Sequence, residues 1–401
     1  MKRMFSLLLG EGFRIFFLSA VLFALVSLSI WLMAYFGGLP LTPERISPTD
    51  WHAHELVFGY GGATLAGFFL TAVPNWTGAK AARHVYIGTA ALIWLLGRLA
   101  VFYIDLLPLA AVVVVELAFA PFLGAKIATQ LIRKPKLQNL VFLIFLTLFW
   151  IGDGLVQLDW AGFLPGQGGT GLRVGLLSLS AMIIVLGGRI APAFTRNAMK
   201  RAGIETGAPV DPKIFTPMAI ILAIALPVAE LVAHETRLSA IIFMVTGLFT
   251  LIRVANWHNR FQWTQPILWS LHLAYGAVGL GLVLWGGAIA EGGNEIAALH
   301  FLAVGGVAGM TIAVMSRASL GHSGRPLVAP VGVVIAYALL PLAAVLRLLG
   351  GMDVGGLYTP LVVGSGLIWC FAFALCAGAL WPILTRPRPP RAPIGPPPKV
   401  S

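Results

Sequence analysis

The sequence predicts an all-α integral membrane protein, a bundle of about twelve transmembrane helices, and its composition and apolar pattern both support this prediction. Hydrophobic residues make up 58% of the 401 residues and charged residues only 10%, whereas soluble domains carry about 25% charged residues. Uncharged stretches of roughly 20 residues, the length that crosses a bilayer, recur to the end of the chain. A soluble enzyme with a single membrane anchor is therefore excluded.

The apolar stretches define the predicted elements in order. The first stretch is too long for the core of a signal peptide and lacks a small-residue cleavage site after it, so it is predicted to stay as a helix. Residues 1–384 form one predicted transmembrane domain, and the Pro- and Arg-rich residues 385–401 a predicted disordered cytoplasmic tail. The twelve predicted spans are Phe13–Phe36, His52–Val73, Val85–Ile104, Leu107–Leu131, Leu137–Leu158, Gly171–Phe194, Ile214–Ala233, Leu238–Val254, Pro266–Ala290, Ile296–Ser316, Leu327–Leu349 and Tyr358–Leu384.

Lys and Arg predict the orientation, because connections on the cytoplasmic side of a membrane carry an excess of them. With both termini in the cytoplasm, 21 of the 27 Lys and Arg residues fall on the cytoplasmic side and two lie inside spans. Removing or adding one helix would scramble this alternation. Since the net charge of +12 lies in the connections, we expect the lipid bilayer and not nucleic acid as the partner. The basic residues on the outer side are Arg45, Arg173, Arg237 and Arg347.

Three ionisable residues are predicted to lie deeper in the membrane, where charge is costly. They are Arg98, Glu116 and Asp153. Arg98 and Glu116 face each other across a short hairpin, so we expect an ion pair between them. A proton or ion path toward the outer side is the open alternative.

The eight histidines carry the candidate chemistry, and the predicted topology sorts six of them into two layers. The outer layer consists of His52, His54 and His300, and the inner layer of His258, His272 and His322. His54 and His300 lie at a similar shallow depth, about 8 Å below the surface at 1.5 Å per residue. Imidazoles at one level of a helical bundle are able to hold a metal or a haem.

The stretch WHAHE at residues 51–55 opens the second span and is the most informative of the chain. Two residues apart on a helix, His52 and His54 diverge by about 200°, so they cannot both face one haem if this turn is helical. An unwound first turn, with Asp50 as its N-cap, would let both converge. The sequence leaves these arrangements open. The glycines after His54 and His300 either leave room for a flat ring or allow close helix packing.

Four blocks of the sequence carry a further signal. The two most specific are residues 51–78, which end in VPNWTG, and residues 299–326, which begin with LHFLAVGG and end in GHSGRP. RIAPAFTRN at residues 189–197 and LHLAY at residues 271–275 are shorter. Together these blocks resemble the NnrS family of polytopic membrane proteins. The resemblance implies haem, expected to be of the b type, and copper. It also implies a role in nitric oxide metabolism or nitrosative stress at a bacterial inner membrane.

The resemblance and the depth match together predict the site residues. We expect His54 and His300 to bind haem, with His52 as a hydrogen-bonding partner or as a substitute axial ligand. Copper is expected in the inner layer, at His258, His272 and His322 with Met315 as a soft ligand for Cu(I). The alternative is copper beside His52. The groups expected to hold haem propionates or to form a proton path are Arg189, Arg196, Arg317, Glu55, Glu116 and Arg98.

Two other classes of membrane protein are weighed against this prediction. A twelve-span secondary transporter would use embedded His, Glu and Arg residues, but the connection at residues 78–85 lacks the Gly, Asp and Arg pattern of major facilitators. A haem–copper oxidase core needs an adjacent His-His pair, which this sequence lacks. Nitric oxide or a nitrosylated iron species is the expected small-molecule ligand. The sequence leaves open whether the protein turns it over by redox catalysis, senses it or protects against it.

Overall fold

The computed structural model describes residues 2–390, and all regular secondary structure within them is helical. Twelve helices are long and apolar enough to cross a membrane, which confirms the predicted fold class. Residues 391–401 of the predicted tail lie outside the described residues. The twelve helices, α1 to α12, are Gly12–Tyr35, Pro48–Thr77, Val85–Phe102, Leu109–Leu131, Leu137–Trp160, Gly168–Arg201, Phe215–Val232, Arg237–Asn256, Pro266–Glu291, Glu295–His322, Val331–Gly351 and Tyr358–Thr385. Three short helical segments lie between or before them, at Lys2–Leu8, Arg260–Trp263 and Val354–Gly356.

The helices α2 and α6 form the centre of the bundle. In their most apolar windows 72% and 83% of the residues are buried, compared with 33% in α4 and in α7. α2 packs against α1, and α6 packs against α5 and α7. α5 and α6 approach closely through glycines, since a Cβ on Gly152 would lie 2.7 Å from the carbonyl oxygen of Gly171. Residues that α2 and α6 present to their neighbours therefore lie away from lipid.

The main difference from the predicted boundaries is the length of α6. This helix continues to Arg201, through the first part of the loop expected at Thr195–Lys213. Residues 198–201 are Ala, Met, Lys and Arg, which all favour helix. Lys200 and Arg201 lie in its last turn, where positive charge interacts favourably with the helix dipole. The connection to α7 is correspondingly shorter.

The helices that carry the outer-layer histidines, α2 and α10, change their winding shortly after His54 and His300. Glu55–Tyr60 in α2 and Leu302–Ala308 in α10 are π-helical, whereas the turns before and after them are α-helical. Short π-helical segments are rare and occur frequently at functional sites. The wider turn changes the direction of the side chains that follow each histidine.

The orientation of the bundle is a first testable prediction. The even number of spans puts both ends of the chain on one side, and the excess of Lys and Arg predicts that this side is the cytoplasm. A reporter that is active only in the cytoplasm should be active when it is fused after Ser401, and a reporter that is active only in the periplasm should be silent. The opposite result would overturn the assignment of the histidines to outer and inner layers.

Candidate functional site

A cavity of about 580 Å³ opens at the predicted outer side of the bundle, and we call it the outer cavity. Its volume lies in the range of cofactor sites, about 300–1,000 Å³. Its wall is mainly apolar and includes three large aromatic rings, Trp31, Tyr60 and Trp369. The π-helical segments contribute six residues to this wall: Leu56, Val57, Tyr60, Ala303, Val304 and Val307. The wall also carries charged and imidazole side chains, namely Asp50, His52, Arg173, His234, Glu235, His300 and Arg347.

His52 and His300 lie next to each other in the outer cavity. Their ring centroids are 6.5 Å apart and their ring planes differ by only 7°. His300 Nδ1 donates to the carbonyl oxygen of Ile296 at 2.7 Å, so Nε2 is its acceptor nitrogen. His52 stacks on Trp31 with the centroids 4.4 Å apart. The Nδ1 atom of His52 is buried and has no hydrogen-bond partner within residues 2–390.

The distance between the two ring centroids is close to that of two imidazoles that share one metal ion. Ring centroids in such a pair lie about 6 Å apart, because each metal–nitrogen bond is about 2 Å and each ring adds its own radius. A ligating histidine usually donates its other ring N–H to a carbonyl or carboxylate, which fixes its tautomer. His300 makes this bond to Ile296.

Two arginines bring positive charge to the outer cavity. Arg347 is buried, its Nη2 lies 3.4 Å from His300 Nε2, and its Nη1 is without a hydrogen-bond partner in the described part of the chain. Arg173 lies at the mouth and donates to Glu235 at 2.8 Å, which lowers the pKa of the Glu235 carboxyl. Sequence reasoning did not select either arginine. A signal was available, because both are among the few basic residues on the predicted outer side.

His54 points away from the outer cavity into a second site between α2, α3, α4 and α5. His54 Nδ1 lies 2.9 Å from Glu55 Oε1, and His54 Nε2 lies 3.1 Å from Asp153 Oδ1. Arg98 donates to Glu55 at 2.8 Å and also to Glu116, so the predicted ion pair of Arg98 and Glu116 is confirmed. All of these side chains are buried. We define the polar cluster as His54, Glu55, Arg98, Glu116, Asp153 and Gln157.

The first turn of α2 explains why the neighbouring histidines separate. The helix begins at Pro48, and Ser47, not Asp50, is its N-cap, since the Ser47 hydroxyl accepts from the Asp50 N–H at 3.0 Å. The turn is therefore not unwound, and His52 and His54 point in different directions. The structure brings His300 to His52 and not to His54. Ligation by any of these histidines stays a prediction.

The residues expected to bind copper lie in different surroundings. His272 Nε2 contacts the Thr195 hydroxyl at 2.9 Å, whereas the His322 ring lies 5.8 Å from the ring of Phe13 on α1. His258 is exposed in the connection after α8. Three other residues in the described part of the chain have ligand atoms close enough together to bind one ion. They are His54, Glu116 and Asp153. Met315 is buried beside a smaller apolar cavity of about 60 Å³.

The inner arginines expected to bind propionates have other partners. Arg189 donates to the carbonyl oxygen of Gln138 and to the side chain of Asn139. Arg196 donates to a backbone carbonyl in the connection after α6, and Arg317 packs against an aromatic ring at 3.5 Å. The wall of the outer cavity includes none of the three. The arginines that do reach this cavity are those of the outer side.

Comparison with known families identifies the family of the chain. The family model described as NnrS protein matches residues 7–388. The chain belongs to the NnrS family. The match covers α2, α10 and nearly all of the bundle. The protein is therefore a multi-pass membrane protein of a family linked to nitric oxide. No protein in a search of curated proteins matches the chain.

The polar cluster yields a prediction about stability. Replacing Arg98 with Met leaves Glu55 and Glu116 buried without their cation, and the loss of one partner of a buried ion pair costs about 3–5 kcal/mol. We expect Arg98→Met to lower the unfolding temperature of the detergent-purified protein clearly. Arg237→Met is the control, because Arg237 is exposed at the start of α8. Equal unfolding temperatures for the two variants would contradict the role given to Arg98.

Proposed function

We propose that the protein is a haem- and copper-binding protein of nitric oxide metabolism or of the nitrosative-stress response in a bacterial inner membrane, with haem iron held by His52 and His300. The observation that carries the proposal is the pair of parallel imidazoles, 6.5 Å apart, in a cavity of about 580 Å³. Membership of the NnrS family supplies the expectation of haem. The geometry supplies the choice of His52 over His54 as the partner of His300.

The remaining wall of the outer cavity suits a flat, amphipathic group. Arg347 provides a buried guanidinium whose Nη2 lies 3.4 Å from His300 Nε2 and whose Nη1 is without a partner in the described chain. It would turn from that nitrogen to a propionate carboxylate when iron is bound. Arg173 provides a second guanidinium at the mouth. Trp31 and Trp369 provide apolar surfaces. A bound haem supplies an iron centre that binds nitric oxide.

The imidazoles of His300 and His52 are held in place by different kinds of contact. The hydrogen bond from His300 Nδ1 to Ile296 holds the imidazole of His300 in a fixed orientation. The Nδ1 atom of His52 has no equivalent bond in the described chain, and its ring is positioned by stacking on Trp31. We infer that His52 would be the ligand that nitric oxide displaces from a bound haem, whereas His300 would stay in place.

The route of a small apolar ligand follows from the shape of the interior. The smaller cavity of about 60 Å³ shares Leu179 and Val307 with the outer cavity. Its lining includes Met182, Met310 and Met315. Nitric oxide is small and uncharged, so an apolar space beside the outer cavity would concentrate it near His52 and His300.

Copper remains part of the proposal as a second metal, because the family resemblance implies it. The residues expected to bind it in the inner layer have different nearest contacts, since His272 contacts Thr195 on α6 and His322 packs against Phe13 on α1. The exposed His258 lies in a connection. Copper at these residues with Met315 stays a prediction.

The ligand assignment is tested by optical spectroscopy of purified variants. We expect His300→Ala to abolish or strongly shift the Soret band, because the anchored ligand is lost. His234→Ala is the matched control, because His234 lies at the mouth of the same cavity and contacts Glu230 instead. An unaltered haem spectrum in His300→Ala would show that this cavity is not the haem site as proposed.

The unequal support of the histidines predicts the kinetics of ligand binding. In rapid-mixing experiments with the reduced protein, His52→Ala should bind nitric oxide at least tenfold faster than the wild-type protein, since no side chain has to leave first. The Ala53→Ser protein serves as a neighbouring control. An unchanged rate in His52→Ala would contradict the assignment of His52 as the replaceable ligand.

A further inference from the structure

We propose that the polar cluster is a second metal site, at which His54 Nε2 and the carboxylates of Glu116 and Asp153 bind a divalent first-row ion. The site is separate from the outer cavity, because His54 points away from it. The inference does not depend on haem binding. It rests on the geometry, hydrogen bonding and charge of the cluster.

The three ligand atoms converge from three helices. They all lie within 4.8 Å of one another, with His54 Nε2 3.1 Å from Asp153 Oδ1 and 3.8 Å from Glu116 Oε1. Nitrogen and oxygen ligands of a zinc-like ion lie about 2.0–2.2 Å from it, so ligand atoms at these separations are able to share one ion. The ion would join α2, α4 and α5 inside the bundle.

His54 has the support that a metal ligand requires. Its Nδ1 atom donates to Glu55 Oε1 at 2.9 Å, and Glu55 is itself held by Arg98 at 2.8 Å. A carboxylate that accepts from one ring nitrogen fixes the tautomer in which the other nitrogen is a free ligand atom. That other nitrogen, Nε2, is the one that faces Glu116 and Asp153.

With all three of its carboxyl groups ionised, the polar cluster carries an excess of negative charge that a further cation would offset. Glu55, Glu116 and Asp153 contribute three negative charges, and Arg98 contributes one positive charge. A neutral His54 leaves a formal excess of two negative charges in a buried part of the membrane domain, which is strongly unfavourable. One divalent ion balances it.

Two buried oxygen atoms in the cluster also lack partners. Glu116 Oε2 and Gln157 Oε1 have no hydrogen-bond donor in the described part of the chain. The Gln157 atom that lies 3.1 Å from His54 Nε2 is its amide nitrogen, so this side chain reaches the site through a donor. A Cβ on Gly97 would overlap Glu116 Oε2, so glycine leaves the space that the carboxylate occupies. An ion bound by both carboxylate oxygens of Glu116 would satisfy Glu116 Oε2.

The ligand types indicate the class of ion. One imidazole and two carboxylates suit Zn²⁺, Mn²⁺ or Fe²⁺, whereas Cu(I) prefers thiolate and thioether sulfur. None of the six side chains that define the polar cluster contains sulfur. The site therefore differs in chemistry from a Cu(I) site.

Metal analysis of purified full-length protein tests the inference. The wild-type protein, stripped by a chelator, should bind one Zn²⁺ or Mn²⁺ per chain when the metal alone is added back. Glu116→Gln and Asp153→Asn should each weaken this binding at least tenfold. Asp159→Asn should not, because Asp159 lies on the same helix but accepts from the backbone of Gly166 and Gly168.

Two further measurements keep the result independent of folding and of haem. An unchanged far-ultraviolet circular dichroism spectrum in the variants would show that the bundle is intact, whether or not haem is bound. X-ray absorption of the zinc-loaded wild-type protein should show nitrogen and oxygen ligands only. Failure of the stripped wild-type protein to bind either ion, equal binding by Glu116→Gln, or sulfur ligation would overturn the inference.

Discussion

The intact first turn of α2 is the constraint on which both sites depend. Because Ser47 caps this turn and it stays helical, His52 and His54 cannot face the same space. One imidazole enters the outer cavity beside His300, and the other enters the polar cluster. A single short motif thereby directs one imidazole into each of two neighbouring but separate sites.

The polar cluster in turn fixes the rotation of α2. Charged groups inside a membrane domain are costly unless they are paired, and Arg98 of α3 pairs with Glu55 of α2 and Glu116 of α4. Trp94 adds a hydrogen bond from its indole N–H to the carbonyl oxygen of Gly59 at 2.9 Å, within the π-helical segment. Rotating α2 would break these contacts together. The direction of His52 is therefore set by charges on the opposite face of the same helix.

The fold could be predicted because apolar length and the distribution of Lys and Arg are properties of the sequence alone. The pair formed by Arg98 and Glu116 could be predicted for a similar reason, since both lie on one short hairpin. The partner of His300 could not. His52 and His54 lie at nearly the same depth, and depth carries no information about rotation around the helix axis.

The lateral position of a residue in the bundle also cannot be predicted from the sequence. His272 and His322 belong to the same predicted inner layer, yet the first contacts α6 and the second contacts α1. Arg173 and Arg347 show the reverse case. Their place on the side that is poor in positive charge was visible in the sequence, and the structure shows that both reach the outer cavity.

Electron paramagnetic resonance of the oxidised, purified protein tests most directly whether His52 and His300 share one haem iron. The ring planes differ by 7°, and near-parallel imidazoles on ferric haem give a rhombic low-spin signal. The account predicts this signal in the wild-type protein and its replacement by a high-spin signal in His52→Ala. A high-spin wild-type protein, or a rhombic signal that persists in His52→Ala, would contradict it.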